Sequence, residues 1–225
     1  MRKEETMGRT IHQIIEEQIK RWELSKVNPP PSVKRCRVIT ISRESGSQGQ
    51  TVAEKLALAI GFDLFHHEIL EAMIETSKNS KTLLETLDEK GMNIVDDIVS
   101  ALVHEHHLWP DEYSKLLLRI LNTIGNHGNA IILGRGANCA LKKIDALKIR
   151  IVAPAALRKK YIQNTRDLSL DDAEKLMIST DANRTAFVKR YFNCNAEDPA
   201  NYDLILNTGT LSVEKTVQII QCALL

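Results

Sequence analysis

The chain predicts an α/β fold, a parallel sheet flanked by helices in three layers. Short β-branched or aliphatic runs recur at residues 37–41, 130–133, 148–152 and 203–206, bounded by turn-forming residues. Between them apolar residues repeat every three to four positions, the signature of helices that cover a sheet. The first run, Arg37-Val38-Ile39-Thr40-Ile41, leads straight into a glycine-containing loop and then a helical pattern. Strand, loop and helix in that order start a parallel sheet.

Taken in order, Ile11, Ile14, Ile15, Ile19 and Trp22 fall on one helical face opposite Glu16, Glu17, Lys20 and Arg21, an amphipathic helix. Pro29, Pro30 and Pro31 end it and stiffen the chain. The expected boundary lies there, with helix and linker over residues 1–31 and the main domain over 32–225. Such a helix either caps the main core or joins two copies in a homodimer. After the first strand and its loop, Val52, Ala53, Leu56, Ala59 and Ile60 make a helix that stops at Gly61. Residues 68–128 are helical by pattern, through Leu83, Leu84, Leu87, Ile94, Ile98 and Leu102, with breaks at Gly91 and Pro110. A last helix starts near Ser212, which suits its N-cap, with Glu214 at the positive end of the dipole.

Charge and composition narrow the function. Lys and Arg total 30 against 29 acids, a net charge of +1, so no excess of cations is available to replace counterions along nucleic acid, and aromatics at 4% give no stacking platform. No nucleic-acid partner is expected. No apolar run approaches the ~20 residues that span a bilayer, and the N-terminal residues are charged; a soluble, cytoplasmic protein is expected. Cys36, Cys139, Cys194 and Cys222 lie far apart without a Cys-x-x-Cys pair and read as buried reduced thiols. His104, His106 and His107 point in different directions on a helix and read as solvent-facing.

Residues 44–51 occupy the turn from strand to helix, where free backbone N–H groups and the helix dipole suit a phosphate. Against the P-loop pattern Gly-x-x-x-x-Gly-Lys-Ser/Thr, Gly49 falls on the second glycine and Thr51 on the hydroxyl that meets Mg²⁺, while Glu44 and Gln50 replace the first glycine and the lysine. The loop is either a phosphate site or a tight turn permitted by Gly46 and Gly49. Arg43 either supplies the missing charge or pairs with Glu44 or Glu54. Gly134-Arg135-Gly136, at the end of a second strand, either forks onto a phosphate or forms an ordinary turn. Arg158, Lys159, Lys160, Arg166, Arg184, Lys189 and Arg190 make a cationic cluster. It is either a solvated helix face or, framed by Asp181, Arg184 and Arg190, a lid over transferring phosphates.

From Val38 to the C-terminus the sequence resembles the cytidylate kinase-like family of P-loop nucleoside monophosphate kinases. The resemblance rests on Ile39 to Glu44 with Gly46-Ser47-Gln48-Gly49, on Ala130 to Asn138, on Ile151-Val152-Ala153-Pro154, on Asp181-Ala182-Asn183-Arg184 and on Tyr202 to Thr208. It implies a helical acceptor-binding insert, a short lid, and transfer of the ATP γ-phosphoryl group to CMP or dCMP with Mg²⁺ as cofactor. By resemblance Gly46, Ser47, Gly49, Gln50 and Thr51 cradle the donor phosphates, Thr51 facing the metal. Arg135 holds the acceptor phosphate and His67 approaches its sugar or base. Arg184 with Asp181 belongs to the lid, together with Arg158, Arg166 and Arg190. The family's loop carries a cation where Gln50 stands, and no strand-end aspartate supports the metal here. A nucleotide-binding protein without turnover is therefore the alternative.

Overall fold

The computed structural model describes residues 10–27, 38–75, 86–87, 92–93, 95–96, 100, 112–141 and 144–224. The chain forms two compact units, one of residues 1–34 and 66–127, the other of residues 35–65 and 128–225.

The first unit contains α1 (Ile11–Val27), α3 (His67–Glu75) and α4 (Glu112–His127), with α3 packed against both of the others. The apolar stripe of α1 is used inside the unit: Ile15, Ile19 and Trp22 are buried, and the indole of Trp22 stacks on His127 with ring centroids 4.3 Å apart. Tyr113 on α4 donates a hydrogen bond to Glu71 on α3 at 2.7 Å. Leu87 is buried as its spacing predicts. Leu83, Leu84, Ile94, Ile98, Leu102, the breaks at Gly91 and Pro110, and the three clustered histidines lie outside the described residues.

The second unit carries the sheet. Its strands are β1 (Val38–Arg43), β2 (Asp63–Phe65), β3 (Ala130–Leu133), β4 (Ala146–Val152) and β5 (Leu204–Asn207). They are all parallel, in the order β2-β3-β1-β4-β5. Ile39 pairs with Ile131 on one side and Leu147 on the other, and both faces of β1 are buried, which is why Val38 to Ile41 contains no charged residue. Helix α2 (Gly49–Ile60) follows β1 and packs Val52, Ala53 and Leu56 against Ile39, Ile41, Ile131 and Ile149. The short α5 (Ala137–Ala140) follows β3. A helical hairpin, α6 (Ala155–Arg166) and α7 (Leu170–Phe192), follows β4 and has its own small core of Ile162, Leu168, Ala173 and Met177. The terminal α8 (Val213–Ala223) starts at Ser212, whose hydroxyl accepts from the Lys215 N–H at 3.2 Å, as its sequence predicts.

Sequence expectations change at β2 and at the cysteines. The three-residue β2 is too short to stand out as a strand; it exists because Asp63 to Phe65 pair with Ala130 to Ile132 at the sheet edge. Cys139 and Cys194, expected as reduced thiols, are joined in a disulfide, because the fold sets α5 beside the turn that ends α7 with the two Cα atoms 6.4 Å apart. Cys222, expected as a buried thiol, is free but exposed, and Cys36 lies outside the described residues.

Candidate functional site

Every strand of the sheet runs the same way, so the loops after β1, β3, β4 and β5 gather at its carboxyl edge. β1 is central there, and the crevice of an open α/β sheet lies where successive connections leave a strand in opposite directions. The loop after β1 turns at Gly46 (φ +79°) and again at Gln48 (φ +58°), which is the N-cap of α2. Gly46 is needed for space as well as for its dihedral: a Cβ there would lie 2.5 Å from the carbonyl oxygen of Arg158. Gly49 opens α2 without a positive φ, and a Cβ on it would lie 2.5 Å from the Cβ of Arg43.

The loop is held from three sides. Glu44 turns inward, accepting from the Ala153 N–H at 3.1 Å and facing Arg158 Nε at 3.4 Å and Arg150 at 3.9 Å. Arg158, whose side chain is only 12% exposed, donates to the Ser45 carbonyl at 3.2 Å, to the Ala153 carbonyl at 3.0 Å and to Asp181 at 2.6 Å. The second Asp181 oxygen accepts from the Ser45 N–H at 2.7 Å. Thr208, just past β5, donates to the Ser47 carbonyl at 2.7 Å. Asp181 sits in the middle of α7, so the helical hairpin grips the loop directly.

Three guanidinium groups converge beside this loop. Arg43, the last residue of β1, threads between Gly49 and Gly134: a Cβ on Gly134 would overlap its guanidinium. Arg184 donates to the Arg43 carbonyl at 3.1 Å. Arg135 lies over the Phe187 ring, 4.8 Å from its centroid, on a backbone where Gly134, Arg135 and Gly136 all have positive φ. Burial, with Arg184 and then Arg135 adding like charge, pushes the Arg43 guanidinium down to about 9, while Asp181 pulls the other way. Burial also lowers Arg184, again opposed by Asp181. A buried cluster of like charge gains from an anion placed against it.

The ion pairs of Arg43 with Glu44 or Glu54 do not form, because Glu44 is taken by Arg158 and the Ala153 N–H, and Glu54 accepts from Gln50 at 3.0 Å. The Gln50 side chain is exposed, turned along α2 toward Glu54. Thr51 is on the first turn of α2. Arg166 and Arg190 are exposed on α6 and α7, the latter 5.4 Å over the Tyr191 ring, and neither has a described contact with the loop. His67 opens α3 in the other unit, about half exposed, with Glu68 at 4.0 Å. The parts that sequence reasoning undervalued are Arg158, Glu44 and Thr208. They join positions 44, 153, 158, 181 and 208, and no local spacing could reveal that meeting.

Among the described residues no group of three or more His, Cys, Asp or Glu could hold a metal ion, and no helix is long and apolar enough to cross a membrane. The carboxylates nearest the loop, Glu44 and Asp181, are committed to arginines and backbone N–H groups, so the donor set does not fit a resident Mg²⁺.

Residues 38–210 match the model of the cytidylate kinase-like family. Cytidylate kinase from Pyrococcus horikoshii is 26% identical over 188 residues, 83% of this chain and 88% of the relative. Cytidylate kinase from Thermococcus kodakarensis is 26% identical over 192 residues, 85% of this chain and 89% of the relative. The same fold occurs in a solved protein of Eubacterium ventriosum described as uncharacterized, with a TM-score of 0.66 and 21% identity, covering 85% of this chain and 98% of that one.

Proposed function

The chain belongs to the cytidylate kinase-like family, and on that premise we propose that it is a phosphotransferase moving the γ-phosphoryl group of ATP to CMP or dCMP. The observation that carries the reading is the convergence of Arg43, Arg135 and Arg184 beside a loop that opens a helix.

The attacking group in such a reaction is a phosphate oxygen already ionised at neutral pH. A bond forms from that oxygen to the γ-phosphorus as the β–γ bridge breaks toward ADP, and no general base is required. Positioning and charge neutralisation are what remains for the protein to supply, which fits a site rich in guanidinium and without an uncommitted carboxylate among its described residues. In this reading the backbone of Gly46, Ser47, Gly49, Gln50 and Thr51 cradles the donor phosphates with the positive end of α2 behind it. Arg135, oriented on Phe187, forks onto the acceptor phosphate. Arg184 and Arg158 close from the hairpin with Asp181, while the exposed Arg166 and Arg190 extend the cationic face by which nucleotides approach. Mg²⁺ enters as part of the Mg-ATP substrate.

One observation favours a second reading, a nucleotide-binding protein without turnover: Gln50 carries no charge and is turned toward Glu54. The test of both is incubation with Mg-ATP and each of CMP, dCMP, UMP, AMP and GMP, with products resolved by chromatography. Cytidine diphosphate formation that is lost in Arg135→Ala is the expected result. No diphosphate from any acceptor, in protein shown to be folded and to bind ADP, would establish the second reading instead.

A further inference from the structure

The P-loop pattern asks for its second glycine where the chain turns left-handed into the helix. In this loop that turn falls on Gln48, not on Gly49. Gly49 is a glycine for another reason, since the side chain of Arg43 fills the space its Cβ would need, with the Arg43 Cβ at 2.5 Å and Cγ at 3.0 Å. The pattern laid on the backbone therefore shifts by one residue from its alignment on the glycines alone. Arg43 stands at the first glycine, Gln48 at the second, Gly49 at the lysine and Gln50 at the hydroxyl.

Two departures then become one exchange. The position that lacks its lysine is Gly49, and the position that should be bare is Arg43, whose side chain crosses the vacated space. A lysine at 49 and an arginine at 43 exclude each other sterically. We propose that Arg43 is the loop's phosphate-neutralising cation, reaching the donor phosphates from the end of β1 instead of from the first turn of α2. The inference rests on the kinase reading above and deepens it. Gly134 belongs to the same device, because any side chain there would collide with the Arg43 guanidinium. Gln50 does not: its side chain lies along the outside of α2, hydrogen-bonded to Glu54.

The experiment measures ADP affinity by calorimetry in the full chain and in Arg43→Ala, Gln50→Ala, Gly49→Lys and the double variant Arg43→Gly with Gly49→Lys. Loss of one charge-assisted contact to phosphate predicts about tenfold weaker ADP binding or more in Arg43→Ala. Guanidinium ion added at millimolar concentration should restore part of that loss. Gln50→Ala, which removes a side chain turned toward Glu54 and keeps the backbone N–H of the cradle, should lose less ADP affinity than Arg43→Ala. Gly49→Lys alone should lose binding, and the double variant should recover to within about threefold of the parent by moving the charge back to the helix. Unchanged ADP affinity in Arg43→Ala would overturn the inference while leaving the kinase reading intact. So would a larger loss in Gln50→Ala than in Arg43→Ala, or a folded double variant no better than Gly49→Lys. If the double variant fails to fold by circular dichroism, guanidinium rescue of Arg43→Ala decides, and absence of rescue counts against the inference. Absence of ADP binding in the parent chain would remove the kinase reading and this inference together.

Discussion

Gly61 and Gly136 both lie in the left-handed region, at φ +71° and +66°, yet an added methyl group meets different surroundings. At Gly61, the C-cap of α2, nothing lies within 4 Å; at Gly136 the ring of Phe192 occupies the place. Gly61→Ala should therefore cost only the dihedral penalty, about 1 kcal/mol. Gly136→Ala should cost about 3 kcal/mol or more, because overpacking against an aromatic ring adds to the same penalty. Thermal denaturation of the two variants measures the difference. Equal losses would show that the ring moves aside freely. The sequence marks both positions simply as glycine, and the neighbours that separate them come from other parts of the fold.

Among the elements, the hairpin α6–α7 holds the loop through Arg158 and Asp181. Its turn is locally encoded, since Ser169 caps α7 by accepting from the Asp172 N–H at 3.1 Å, and Asp171 and Asp172 suit the positive end of the helix. Its far end is tied by the Cys139–Cys194 disulfide to α5, directly after the Gly134-Arg135-Gly136 turn. A cross-link across 55 residues is expected to contribute about 2–4 kcal/mol. A reductant should lower the melting temperature of the parent chain but leave a Cys139→Ser, Cys194→Ser double variant unmoved, and peptide mapping without reduction should recover the two segments linked. Recovery of both as free thiols would remove the tie. The strands β1, β3, β4 and β5 and helices α2 and α8 were legible from apolar runs and caps. β2 was not, because a three-residue edge strand is specified by its partner more than by its own residues.

For the second unit as a whole, the buried arginine cluster opposes folding. Arg43 in the fold is pushed down to about 9, well below the ordinary arginine range. A basic group with a depressed value in the folded state holds its proton better when unfolded. Its charged form therefore opposes folding at neutral pH, and that opposition lessens as pH rises above about 9. Without ligand, Arg43→Met should melt higher than the parent at pH 7, and the gap should narrow as pH climbs past about 9. Pyrophosphate should raise the melting temperature of the parent chain, as any ligand of the folded state does, and raise that of Arg43→Met less. A variant that melts lower than the parent at pH 7 would show that Arg43 is fully compensated within the fold.

What the sequence by itself determined is the layered α/β plan, the loop at the first strand end, and the identity of several candidate site residues, Arg43, Arg135, Asp181 and Arg184 among them. Those features are written in periods of two to four residues and in short strand-end motifs, so neighbouring positions suffice to read them. Only the tertiary structure decided which carboxylate meets which cation, which cysteines pair, and which residue of the loop turns left-handed. Arg158 meets Asp181, Cys139 meets Cys194, and Arg43 fills the room beside Gly49. Each is a contact between segments that the sheet brings to one edge, and steric exclusion and charge pairing act across space without regard to separation along the chain.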